Sequence, residues 1–150
     1  MRHTDRYWND LSVGESWTSA PIRLTEEEIV AFAGQFDPQP MHVDPATAAE
    51  GRFGGIIASG WHVASLSMRA FVDTSPFGAV PMLGIRIDEL CWHKPARPGD
   101  LLIVTHRIAE LRPSRTRADR GNVVITTAMV NDRDEMVMSF TNLIQMPLNL

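Results

Sequence analysis

The segment from Gly60 to Val72 constrains this chain most. Trp61, Ala64, Met68 and Phe71 recur at the spacing of one helical face, while Val63, Leu66 and Val72 put apolar groups on the other sides. A helix so nearly apolar all round predicts burial at the centre of a domain, and a lone helix cannot cover itself. The cover comes next in the chain. Leu83, Ile85 and Ile87 alternate with Gly84, Arg86 and Asp88, the period of a strand, and the segment continues toward Trp92. Residues 101–111, 123–130 and 136–146 read as further strands, rich in β-branched and apolar side chains. Pro95, Pro98 and Gly99 punctuate the first connection, and Asn131-Asp132-Arg133-Asp134 turns the last. A strand around residues 17–24 brings the count to five. Connections this short favour antiparallel pairing. The expected fold is α+β, an antiparallel β-sheet wrapped around one long central α-helix.

The first half positions smaller elements. Thr25 and Glu28 form a capping-box pattern, after which Ile29, Ala33 and Phe36 recur at helical spacing. Asp37-Pro38-Gln39-Pro40 ends that helix, because each proline disfavours helix in the residue before it. Asp44 then caps a second short helix with Pro45 at its first position and Gly51 as its stop. Gly54 and Gly55 lead into Ser59-Gly60 at the head of the long helix.

Length and composition bound the function. The 150 residues suit one domain, 1–150, and 44% apolar with 21% charged residues is an ordinary globular balance. One cysteine, Cys91, allows no internal disulfide and points to a reducing, cytoplasmic setting. Residues 1–10 are polar, unlike a signal peptide, and no run approaches the ~20 apolar residues of a membrane helix. A net charge of −4 argues against nucleic acid as a partner. Arg112, Arg115, Arg117 and Arg120 form the one basic cluster, readable either as a solvated turn or as an anion site.

Chemistry concentrates in Phe36-Asp37-Pro38-Gln39-Pro40-Met41-His42-Val43-Asp44-Pro45. Two prolines in three residues stiffen the segment, so Asp37 and His42 are held in place. A carboxylate and an imidazole together can bind a water, take its proton and return one elsewhere. On spacing alone, a turn-forming aspartate and a loop histidine fit equally. The second piece is Gly54-Gly55-Ile56-Ile57-Ala58-Ser59-Gly60-Trp61-His62. Free N–H groups at a glycine-headed helix start can polarise a carbonyl oxygen, and Ser59-Gly60 can equally be a plain helix cap.

The two pieces in this order resemble the MaoC-like dehydratases and (R)-specific enoyl-CoA hydratases, whose signature runs D-x-N-P-x-H. Here it stands as Asp37-Pro38-Gln39-Pro40-Met41-His42, followed by Ala48 and Ala49, by Ala58-Ser59-Gly60-Trp61-His62, by Ile87-Asp88-Glu89-Leu90 and by Lys94-Pro95-Ala96-Arg97-Pro98-Gly99-Asp100. The similarity runs from about Val13 to Leu143. It implies a hot-dog fold, coenzyme A or carrier-protein thioesters as substrates, no cofactor beyond the coenzyme A of the substrate, and a homodimer or dimer of dimers. It implies Asp37 and His42 as the catalytic dyad, the Gly60 N–H as carbonyl polariser, and Gln39, Pro40, Ser59 and Trp61 as substrate-binding residues. Gln39 departs from the common asparagine, and its extra methylene changes what the amide can reach. The implied reaction is reversible hydration of a trans-2-enoyl thioester to an (R)-3-hydroxyacyl thioester. A hot-dog thioesterase and a non-catalytic acyl-binding subunit are the alternatives, and the intact Asp37/His42 spacing argues against both.

The remaining polar residues are read as structural. His62 packs on its helix or reaches the mouth of the site. His93 and His106 fall in strands without metal-ligand spacing, and no metal is expected. Cys91 reads as a core or interface residue, and Lys94 and Arg97 join the arginine cluster as groups that could meet coenzyme A phosphates. Leu101-Leu102-Ile103-Val104, apolar on both faces, reads as surface that a partner covers.

Overall fold

The computed structural model describes residues 4–150; residues 1–3 of the polar N-terminal stretch lie outside it. A 3-10 turn, Trp8–Asp10, precedes two short strands, β1 (Ser16–Thr18) and β2 (Ile22–Arg23). Helices α1 (Glu26–Phe36), α2 (Pro40–Val43) and α3 (Pro45–Glu50) lead to the long helix α4 (Gly60–Thr74). Strands β3 (Leu83–Trp92), β4 (Leu101–Pro113), β5 (Arg120–Val130) and β6 (Met136–Pro147) complete the chain.

The four long strands lie where alternation put them, to within a few residues. They pair antiparallel in the order β1-β4-β5-β6-β3, with β2 also on β4, so the sheet has six strands rather than five. The expected strand around residues 17–24 is two short pieces on one neighbour. Thr25 caps α1 with both halves of the capping box formed, and the Asp44 carboxylate caps α3 through the N–H groups of Ala46 and Thr47. The antiparallel sheet with one long helix against it is the hot-dog arrangement.

The helix is less enclosed than its composition predicts. Val63, Ser67, Ala70 and Phe71 are buried on the inner side, whereas Trp61, Met68 and Val72 on the other side are 59%, 48% and 55% exposed. The single chain covers one face only. Phe36 likewise stands 65% exposed, though Ile29 and Ala33 of the same helix are fully buried. The apolar run at residues 101–104 is not a free surface. Strand β4 lies between β1 and β5, and Leu102 and Val104 are core residues. The uncovered apolar edge is β3, where Leu83, Ile85, Ile87 and Trp92 are exposed and Cys91 is exposed beside them, outside the core.

Two clusters of buried side chains lie along α4. One joins Val63 and Ala70 to Leu24, Ile29, Leu102, Val104 and Met138; the other joins Phe71 to Leu11, Phe77, Ile108, Ile125 and Ile144. At about 25 cal/mol per Å² of apolar area removed from water, such burial is the main favourable term of the fold.

Candidate active site

Prolines and backbone bonds assemble the site from three separate stretches. The Asp37 N–H closes α1 onto the Ala33 carbonyl, and the Gln39 N–H turns back onto the Asp37 carbonyl at 2.8 Å. Pro40 then starts α2, a short helix that sequence reading missed because four residues are too few to show periodicity. The N–H of Ile57 donates to the Met41 carbonyl at 3.1 Å, and that of Ala58 to the Ala96 carbonyl at 2.9 Å. These bonds tie α2, the approach to α4 and the connection after β3 around one cleft of about 350 Å³. Its walls include Asp37, Gln39, His42, Gly60, Trp92 and Lys94.

The structure brings Asp37 and His42 together. His42 Nε2 lies 3.4 Å from Asp37 Oδ2, and the imidazole is almost fully buried. His42 Nδ1 is 2.7 Å from the Ile57 carbonyl oxygen. A carbonyl only accepts, so Nδ1 carries the hydrogen and, in the neutral ring, Nε2 presents its lone pair toward Asp37. Asp37 has a donor on each oxygen: Ser59 Oγ gives to Oδ2 and Gln39 Nε2 gives to Oδ1, both at 2.7 Å. The Ser59 hydroxyl first, then the Gln39 amide and the nearby imidazole hold the Asp37 carboxyl below the usual carboxylate range, against a smaller opposing effect of burial. The arrangement is an ionised carboxylate facing a basic nitrogen.

The other expected residues divide. The extra methylene of Gln39 lets its amide close back on Asp37. Ser59 is wholly buried and makes no side-chain cap, its hydroxyl being committed to Asp37. Trp61 stands at the cleft rim. Pro40 is exposed, serves as the first residue of α2, and is not among the cleft walls. Gly60 opens α4, where N–H groups of the first turn have no partner within the helix. Its missing side chain has a definite cause. A Cβ there would fall 2.6 Å from the Trp92 ring, whose indole N–H donates to the Gly60 carbonyl at 2.9 Å. Trp92 therefore occupies the space that a side chain at this position would take.

Sequence reasoning missed Trp92 and Phe53 as walls and set His93 aside, although its ring lines the cleft with Nε2 2.7 Å from Ser139 Oγ. Chain separation hid them, and no spacing signal marks such a contact. Lys94 is also a wall, ion-paired with Glu135. Arg112 and Arg120 lie at the opposite end of β4 and the start of β5, roughly 35 Å along the strand from Leu101. They pair with Glu110 and Asp119, so this cluster is a solvated hairpin. His62 is buried against α1, its ring stacked on Phe32 at 4.8 Å.

Known proteins share the sequence pattern and the fold of this chain. Residues 11–130 match the family described as MaoC like domain. The chain is similar to the crystal structure of a MaoC-like dehydratase from Rhodospirillum rubrum, 37% identical with a TM-score of 0.83, over 97% of this chain and 99% of that one. An R-hydratase from Pseudomonas aeruginosa shares the fold at 23% identity, TM-score 0.76, over 96% of this chain and 90% of that one. A Bacillus subtilis protein named as uncharacterized is 29% identical over 119 residues, 79% of this chain and 84% of the relative.

Proposed function

The chain belongs to the MaoC-like dehydratase family, and from that premise we propose that it adds water reversibly to a trans-2-enoyl thioester, giving an (R)-3-hydroxyacyl thioester. The observation that carries this reading is the facing pair of acceptors, Asp37 Oδ2 and His42 Nε2. One water satisfies both by giving a hydrogen to each, which leaves its lone pairs free to attack the β-carbon. As the oxygen bonds to that carbon, His42 Nε2 takes one water proton, and Asp37 stabilises the imidazolium that forms. The same nitrogen returns the proton to the α-carbon, so hydrogen and hydroxyl add to one face of the double bond. Dehydration runs the steps backward. Asp37, held ionised by Ser59 and Gln39, is the orienting anion and His42 the proton carrier.

The negative charge that builds on the thioester oxygen needs a donor, and the Gly60 N–H at the start of α4 is the one assigned here. The thioester is that of coenzyme A or of an acyl carrier, and nucleic acid is no partner. The apolar edge of β3 and the outer face of α4 support a homodimer in which two sheets join edge to edge, burying Leu83, Ile85 and Ile87. Light scattering should give twice or four times the 16.7 kDa chain mass. A fully active monomer would sink that assembly.

The reaction is tested with crotonyl-CoA. Hydration bleaches the enoyl absorbance and releases no thiol. Thiol release would make the protein a thioesterase, and silence across a series of enoyl thioesters would make it a binding subunit.

A further inference from the structure

We propose that His62 is a positioning residue for the dyad: its ring, stacked on Phe32, holds the end of α1 against the start of α4 and so keeps the Ser59 hydroxyl on the Asp37 carboxylate. The proposal deepens the enoyl-thioester reading above and rests on it for its kinetic arm alone.

The carboxylate and the donor that lowers its pKa most belong to different helices. Asp37 caps the end of α1, its N–H bonded to the Ala33 carbonyl at 2.8 Å. Ser59 caps the start of α4, its carbonyl receiving the N–H groups of His62 and Val63 at 3.0 and 3.2 Å. Among the described residues no backbone hydrogen bond joins the two helices. The 2.7 Å bond from Ser59 Oγ to Asp37 Oδ2 therefore depends on side chains to set the spacing of α1 and α4 at this end.

The stacked rings stand where such a spacer is needed. His62 lies three residues into α4 from Ser59, and Phe32 lies five residues back along α1 from Asp37, about one turn from the bond on each helix. The rings are parallel to within 9°, with centroids 4.8 Å apart, and Phe36 beside Asp37 packs on Phe32 at 5.1 Å. Neither His62 nor Phe32 lines the Asp37/His42 cleft, so any effect on the reaction is exerted through Asp37. The face of the imidazole is what it contributes. Its Nδ1 is buried without a partner, so no hydrogen bond from that atom accounts for the residue. Burial outweighs the field of Glu28 on α1 and holds the imidazole below the ordinary histidine value, so near pH 7 it stacks as a neutral ring.

Two readouts test the role, one of them independent of activity. Followed by carbon-detected NMR, the Asp37 carboxyl should titrate at higher pH in His62→Ala, the direction expected for Ser59→Ala. His62→Phe keeps a flat ring on Phe32 and should titrate as wild type. His62→Asn keeps a polar side chain without the ring and should behave as the alanine variant. With crotonyl-CoA, His62→Ala should lower kcat roughly three- to tenfold and change KM by less than about twofold, and His62→Phe should restore the rate. On a Ser59→Ala background, His62→Ala should shift neither the titration nor the rate further, because the bond it protects is gone. Phe32→Leu removes the partner ring from the other helix and should move the Asp37 titration in the same direction, which keeps the test open should His62→Ala fold poorly. A lower Tm with an unmoved Asp37 titration in these variants would make His62 a packing residue and overturn the proposal, as would a full additional loss on the Ser59→Ala background. A moved titration with no hydration of any enoyl-CoA would sink the reaction and keep the positioning role.

Discussion

His42 and His106 are equally buried, each 3% exposed, and both stand beside α4, yet they are prepared for different work. Each has one ring nitrogen held by a neighbour, the Ile57 carbonyl for His42 and the Thr127 hydroxyl for His106. The difference lies at the second nitrogen. His42 turns it to an ionised carboxylate at the wall of a cleft, and that of His106 is buried without a partner. Burial alone therefore identifies neither a base nor a ligand group. What the second nitrogen meets marks the difference, since proton transfer needs a charged partner and a substrate within reach.

The contrast breaks most readily at the dyad. Asp37→Asn and His42→Ala should each lower hydration of crotonyl-CoA on the order of 10²-fold or more, with folding largely retained, whereas His106→Leu should leave that rate alone. Equal losses at the two histidines would erase the distinction. A smaller effect sharpens it. Ser59→Ala or Gln39→Leu removes a donor from Asp37, so its carboxyl should titrate higher and the acid limb of kcat/KM should move to higher pH, with a loss on the order of tenfold near neutrality. Gln39→Asn shortens the reach of the same amide and should shift the limb in the same direction.

Stability gives a second reading of His106. Burial pushes its imidazole down to about 4, so between pH 6.5 and about 4 the unfolded chain binds more protons than the folded one. Its contribution is complete above pH 6.5 and is lost as pH falls through about 4, a decline of a few kcal/mol at most. Urea unfolding across that range should show a flatter profile for His106→Leu; an unchanged slope would remove His106 as its source. The smallest expected change is at the cleft wall. Trp92→Phe deletes the indole donor to the Gly60 carbonyl and keeps the packing, so thermal unfolding should reveal a loss of about 1 kcal/mol or less.

Elements were legible in the sequence wherever one local period ruled. Strands β3 to β6 and the caps at Thr25 and Asp44 follow from alternation and capping chemistry. The exposed side of α4 was not legible, because an apolar side chain against its own sheet reads the same as one left for another surface. In the site, Asp37 and His42 are five residues apart and share one stiff segment, so their spacing allowed a meeting that the family resemblance then selected. The Ser59–Asp37 bond joins residues 22 apart, and Trp92 meets Gly60 across 32. Those contacts come from tertiary packing, which no spacing encodes. The bare Cα of Gly60 likewise has its reason in a tryptophan from an edge strand, which fills the space a side chain would take.

Given the proposed dimer and the proposed thioester substrate, that tryptophan would tie two binding events into one thermodynamic cycle. Trp92 ends the strand whose free edge would pair with a second copy, and it also walls the cleft beside Gly60. Any free energy by which pairing at the edge repositions the indole appears as a change in affinity for the thioester. Reciprocity then requires substrate to shift the dimerisation constant by the same factor. The protein concentration at which the dimer dissociates should therefore depend on how much acyl thioester is present, and a titration calorimeter can read that dependence from either side.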